Sequence, residues 1–233
     1  MRFVFEERGS DTPFVEMMWR TQSVGGGTLM SAAATNLELV VTRQQNTIHC
    51  TLRGPETKAS PAPIPEDAEF LGIIFKLGTF FPHVPTPQLV DGGIHLPLAA
   101  GQSFWLHGSA WEFPTFENAD TFVERLVRYG LLAHEPVVAA ALQGQTRDLS
   151  QRSLQRRFRR ATGLTHTTLF QIERARHALR LLQQGVSILD TVEQAGYADQ
   201  PHLTRSLKYF MGRTPAQATH IRNDEQLSLL FNT

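Results

Sequence analysis

The sequence predicts an α+β chain in two parts. A small antiparallel β barrel or sandwich with helices comes first, and an all-α domain of two helix-turn-helix units joined by a long linker helix follows. Three observations carry this reading. Short segments rich in β-branched and aromatic residues, parted by Gly, Pro, Asn and Asp, fill the first hundred or so residues. Near residue 117 the apolar spacing changes from that of strands to that of helices. Within the helical part, one pattern returns 49 residues later.

"RFVFEE" alternates apolar and polar side chains, as a half-buried strand does. "LELVVTR", "TIHCTLR" and "FLGIIFKLG" follow, each favouring a pleated surface. "GGG" at 25–27, "SPAPIPED" at 60–67, "PHVPTP" at 82–87 and "DGG" at 91–93 are expected to be turns between them. The first helix, in "ENADTFVERLVRYGLL", places Phe122, Val123, Leu126 and Val127 on one face. Asn118 is its expected N-cap and Gly130 lies near its end. "VVAAALQG" reads as a short helix ending at Gly144, and helices joined by short turns fill 151–220.

The repeat is Leu154-x-Arg156-x-Phe158 with Gly163-x-Thr165, matched by Leu203-x-Arg205-x-Leu207 with Gly212-x-Thr214. Between the copies, "HTTLFQIERARHALRLLQQG" predicts a helix of about 18 residues, roughly 27 Å long. At 100° per residue, Leu154, Phe158 and Ala161 share the buried side of the first repeated helix, and Arg152, Arg156 and Arg159 face away. Ser153 and Arg160 flank that outer face, and Arg157 sits at the packing edge. In the second copy Leu203, Leu207 and Phe210 are buried, while Pro201, Arg205 and Lys208 face out, flanked by His202 and Tyr209. Ser150 and Asp199 are the expected N-caps. Helix, Gly turn and basic second helix make a helix-turn-helix, which lays its second helix in a DNA major groove.

The residues then resemble a family. "LSQRSLQRRFRRATGLT", "ERARHALRLL" and "SILDTVEQAGYADQPHLTRSLKYFMGRTP" together look like the DNA-binding domain of AraC-type (AraC/XylS) transcriptional regulators, over about 145–218. The resemblance implies base contacts from the starts of the two recognition helices. By position these are Arg152, Gln155 and Arg156, then Gln200, His202 and Arg205. Arg reads guanine and Gln reads adenine in the major groove. Arg159, Arg160 and Lys208 are expected on phosphates, or simply in solvent, and Arg157 in a structural role. His202 could equally be a solvent-facing residue at the helix start, and Arg174 could bridge the two units. The first unit departs from the family pattern, with Asp148 where Gly is common and the preceding helix ending early at Gly144.

Charge agrees with this division. The 22 Lys and Arg balance the 22 Asp and Glu. However, 1–139 hold 9 basic and 15 acidic residues (−6), 140–222 hold 13 and 5 (+8), and the last eleven add −2. The expected domains are a β-rich effector-binding or dimerisation domain at 1–134, the DNA-binding domain at 135–222 and a tail at 223–233. No run of about 18 apolar residues or signal peptide is visible, and the single Cys50 forms no internal disulfide. The expectation is a cytoplasmic protein that does not engage a membrane.

The front half resembles the cupin-like domain that often precedes such DNA-binding domains, on strand pattern and order. In that family it commonly binds an effector, dimerises, or both. Its aromatic run "SFWLHGSAWEFPTF" reads as core or domain junction. Alternatively it is the wall of an effector pocket, with Phe75, Phe80, Trp105 and Trp111 as the binding candidates. Lys76 could pair an anionic ligand or snorkel to the surface. His49, His83, His95 and His107 are scattered singly, so no metal or cofactor is expected, and no nucleophile–base motif indicates an enzyme. Expected partners are double-stranded DNA, RNA polymerase, a small-molecule effector and a second copy of the chain. Two alternatives stay open: a β-barrel small-molecule enzyme with a helical docking domain, and a DNA-binding protein whose front domain only dimerises.

Overall fold

Strands with a shared apolar face must bury that face together, and here they do so antiparallel. The computed structural model describes residues 2–145 and 150–219, so Asp148 and the tail at 223–233 lie outside the described residues. The chain forms two compact units that do not divide at a single point. One comprises the chain up to Gly27 with Asn36–Pro55 and Pro65–Thr165; the other comprises Thr28–Thr35, Glu56–Ile64 and the chain from His166 on.

The first unit is built on a six-stranded antiparallel sheet. Its strands are β1 (Arg2–Arg8), β2 (Val15–Val24), β4 (Glu38–Gln44), β5 (Thr47–Arg53), β7 (Ala68–Phe75) and β9 (Gly93–Leu96), in the order β1-β2-β7-β4-β5-β9. Met18, Trp19, Leu39, Leu52, Ile73 and Phe75 are fully buried in it, each contributing roughly 1.5–3 kcal/mol by leaving water. Buried Trp19 donates from Nε1 to Oε1 of buried Glu38 at 2.7 Å. The residue opposite Trp19 on β7 is Gly72, where a Cβ would lie 2.0 Å from the indole. The sheet therefore requires glycine there.

A small sheet joins β10 (Leu98–Ala99), β11 (Ser103–Leu106) and β12 (Ser109–Glu112). Its β11–β12 hairpin turns on His107 and Gly108, at φ 48° and 79°, the pair of positive φ values a two-residue turn of this hand needs. Phe104 and Trp111 of this sheet meet Phe122 of α1 (Ala119–Arg128) at ring distances of 6.3 and 6.1 Å. The core reading of the aromatic run is the one the packing supports. Asn118 does not cap α1 as expected: its Oδ1 accepts instead from the Thr115 backbone N–H, which orders the preceding turn. Strands β8 (Thr79–Phe80) and β13 (Ala133–His134) pair, and α2 (Pro136–Leu142) and α3 (Gln151–Thr162) complete this unit.

The second unit contains α4 (His166–Gln183), α5 (Ile188–Gln194), α6 (Gln200–Met211) and α7 (Pro215–Ala218). The linker helix has the 18 residues the sequence predicts. The unit also includes β3 (Gly27–Ser31) paired with β6 (Ser60–Ile64). "SPAPIPED", expected to be a turn, thus contains a strand. Pro61 and Pro63 are tolerated because β6 pairs on one side only. Ala33 and Ala59 donate backbone hydrogen bonds to the Phe210 and Tyr209 carbonyls, at 2.7 and 2.9 Å. Among the described residues, no helix is long and apolar enough to cross a membrane.

Candidate nucleic-acid interface

Helices α3 and α6 are built alike, 12 residues each. Ser150 accepts from the Ser153 N–H at 3.3 Å, and Asp199 from the His202 N–H at 2.6 Å, so each helix start is capped by the expected residue. Gly163 and Gly212 end them in the left-handed conformation, at φ 73° and 68°. The helices before them are capped in the same way: Glu135 accepts from Val137 at the start of α2, and Ser187 from Asp190 at the start of α5.

The faces follow the predicted helical rotation. Along α3, Arg152, Gln155, Arg156, Arg159 and Arg160 are exposed, Phe158 and Ala161 are buried, and Leu154 is half-buried. Along α6, Gln200, Arg205 and Lys208 are exposed, and Leu203, Leu207 and Phe210 are buried. His202 is half-buried, with its ring set edge-on against Tyr197 at 5.0 Å. Buried Tyr197 anchors the turn before α6. Its hydroxyl lies 2.8 Å from Ser206 Oγ, and the Arg174 guanidinium covers its ring at 4.4 Å. Arg174 also donates to the Gly196 carbonyl at 3.4 Å, which ties α4 to the α5–α6 turn.

The α3 arginines are not equivalent. Arg157 donates from Nε and Nη2 to the two oxygens of Glu135, at 3.0 and 2.6 Å, pinning α3 to the start of α2. Burial pushes the Glu135 carboxyl up. Hydrogen bonds from Arg157 and Val137 and the nearby Arg157 and Arg160 charges outweigh that and hold it below its ordinary range. The hydrogen bond to Glu135 raises Arg157 in turn. The Arg160 guanidinium lies 5.5 Å from the centre of the Phe80 ring. Residue-by-residue reading missed Glu135; its signal was an acidic residue immediately before Pro136, at a helix start.

The four effector candidates are not gathered. Phe75 and Trp111 are buried, Phe75 edge-on to Phe81 at 5.5 Å, whereas Trp105 is 46% exposed. One cavity of about 420 Å³, lined by Arg20, Arg43, Glu69 and Phe116 among others, contains none of the four. A second, of about 440 Å³, contains only Phe80. Phe75 and Trp111 fill core space that their large side chains are suited to fill. Lys76 is half-buried just after β7 and lines neither cavity. The histidines that the sequence scatters singly meet in pairs: His49 with His95 at 5.8 Å, and His83 stacked on His107 at 3.6 Å.

Residues 146–220 match the family model described as "Helix-turn-helix domain". The chain is also similar to a solved structure of ToxT from Vibrio cholerae. Identity is 9%, the match covers 93% of this chain and 98% of that one, and the TM-score is 0.40. No curated protein matches the chain.

Proposed function

We infer that this chain, whose residues 146–220 match a helix-turn-helix domain, is an AraC-type DNA-binding transcription regulator that reads specific DNA sequences with both α3 and α6. The observation that carries this reading is the duplicated design of the two helices. Each has a side-chain N-cap, a left-handed Gly stop, a buried apolar stripe and an exposed basic face.

In this reading the DNA-binding domain is 135–222. Arg152, Gln155, Arg156, Gln200, His202 and Arg205 contact bases, where the helix starts enter the groove. Arg159, Arg160 and Lys208, about a turn further on, contact phosphates. The β-rich part at 1–134 takes a small-molecule effector or pairs with a second copy, and either event biases DNA affinity or contact with RNA polymerase.

The test is a gel shift on DNA from upstream of the chain's own gene, run as a salt series. The expected result is a retained complex on one fragment, with affinity falling linearly in log salt. Absence of binding to every fragment, or binding indifferent to salt, overturns the proposal.

A further inference from the structure

We propose that the cavity between residues 80–87 and α3 binds a small ligand with one anionic group on an apolar body, and that this ligand competes with DNA for α3. The competition rests on the reading of α3 as a DNA-contacting helix; the binding does not.

One wall of the cavity is apolar, built from Phe80, Phe81, Val84 and the prolines at 82, 85 and 87. The opposite wall is α3, contributing Arg156, Arg159 and Arg160. Among the described residues, no acidic side chain lines it. Glu135, whose carboxyl feels the Arg160 charge, is occupied by two hydrogen bonds from Arg157. The volume of about 440 Å³ lies within the range that encloses small molecules, roughly 300–1,000 Å³.

Thr86 supplies a separate observation. It lines the same cavity and is 1% exposed, and its hydroxyl has no hydrogen-bond partner among the described residues. A buried hydroxyl without a partner is costly unless something else satisfies it. The prolines fix the backbone of this wall, so little order has to be gained on binding.

Guanidinium forks suit a carboxylate, and the opposite wall suits hydrocarbon. A DNA phosphate would satisfy the arginines and gain nothing from Phe80 and the prolines. An amphipathic anion satisfies both walls. By occupying Arg156, Arg159 and Arg160 it withdraws from DNA the same groups assigned there to a base and to phosphates.

The test uses the full chain and 2-naphthoate, followed by calorimetry. The expected result is one saturable site, with 2-naphthylmethanol and acetate each binding at least tenfold more weakly. The exposed double variant Arg156→Ala/Arg159→Ala and the wall variant Val84→Asp are each expected to weaken naphthoate at least tenfold. The double variant decides the matter should Val84→Asp not fold. Absence of saturable binding, acetate binding as well as naphthoate, or the neutral alcohol binding as well as naphthoate overturns the pocket.

Competition is read on a random-sequence duplex. Saturating naphthoate is expected to weaken binding and flatten the salt slope by about 2, about 0.9 for each phosphate that Arg159 and Arg160 no longer neutralise. An unchanged slope with naphthoate bound overturns the competition. A normal naphthoate isotherm on a chain that binds no DNA supports the pocket and overturns the DNA reading instead.

Discussion

Arg157 grips Glu135 with two hydrogen bonds, at 3.0 and 2.6 Å, while Arg156, its neighbour, faces solvent. One step of about 100° around the helix therefore separates an arginine held by Glu135 from one that faces solvent. Arg157→Ala should lower stability by about 1 kcal/mol. That is the upper end for exposed pairs, because Arg157 is 40% exposed while Glu135 is only 14% exposed. For a chain of this size the melting temperature should fall by about 2–4 °C. The salt slope of DNA binding should not change. Arg159→Ala should do the reverse, flattening the slope and leaving the melting temperature in place.

The same pair sets an acid response. Glu135 is held below its ordinary range when folded, so it contributes stability above the usual carboxylate pKa that is lost as pH falls through the lowered value. The difference in melting temperature between the native chain and Arg157→Ala should be full near pH 7 and shrink toward about pH 3. A difference that stays constant with pH would mean that Arg157 acts through packing alone.

Much of this was legible in the sequence, because the signals were local and repeated. Ser150, Asp199, Gly163 and Gly212 mark helix ends by chemistry that acts within one turn, and the 49-residue repeat tied the two helices together. The front half was legible as strands, but less so as packing. The β11–β12 hairpin turns on His107-Gly108, a pair without the usual Asn-Gly or Asp-Gly signature. The prolines of β6 read as a turn because their tolerance depends on strand pairing, which is not local. Phe75, Phe80, Trp105 and Trp111 carry no periodic signal that separates core from pocket wall, and the cavity beside α3 is formed by residues about 70 positions apart.

Arg205 and Lys208 should separate by specificity. Both are exposed on α6, Arg205 nearer its start. Arg205→Ala should cost roughly 1–3 kcal/mol on the cognate fragment and relax one base position. Lys208→Ala should weaken all sequences about equally and lower the salt slope by about 1. Selection of bound fragments from a randomised pool reads both outcomes. Uniform loss from Arg205→Ala would reassign it to a phosphate.

Two left-handed glycines should differ in tolerance. Gly196 and Gly212 both have φ 68°, so alanine at either pays about 1–2 kcal/mol of backbone strain. At Gly196 the new methyl meets nothing within 4 Å. At Gly212 it would lie 2.4 Å from Met30 Cγ and 3.2 Å from Ala59 Cβ, against the β3–β6 pair. Gly212→Ala should therefore be the more destabilising by about 1 kcal/mol or more in denaturant melts, since an overpacked methyl typically costs that much. Equal losses would show that Met30 moves aside freely.

Cys50 should be inert in the folded chain. It lies on β5, fully buried between β4 and β9, paired with Val41 and Leu96. Burial pushes its thiol up to about 12, because a thiolate there would lose its hydration. Reaction with a disulfide reagent needs the thiolate and access to it, and the fold removes both. At pH 8 the native chain should resist labelling over hours and be labelled within minutes once denatured. The native labelling rate should follow opening of the sheet and rise with denaturant along the unfolding curve. Rapid labelling without denaturant would show that the β5–β9 edge opens on its own, well below the global unfolding free energy.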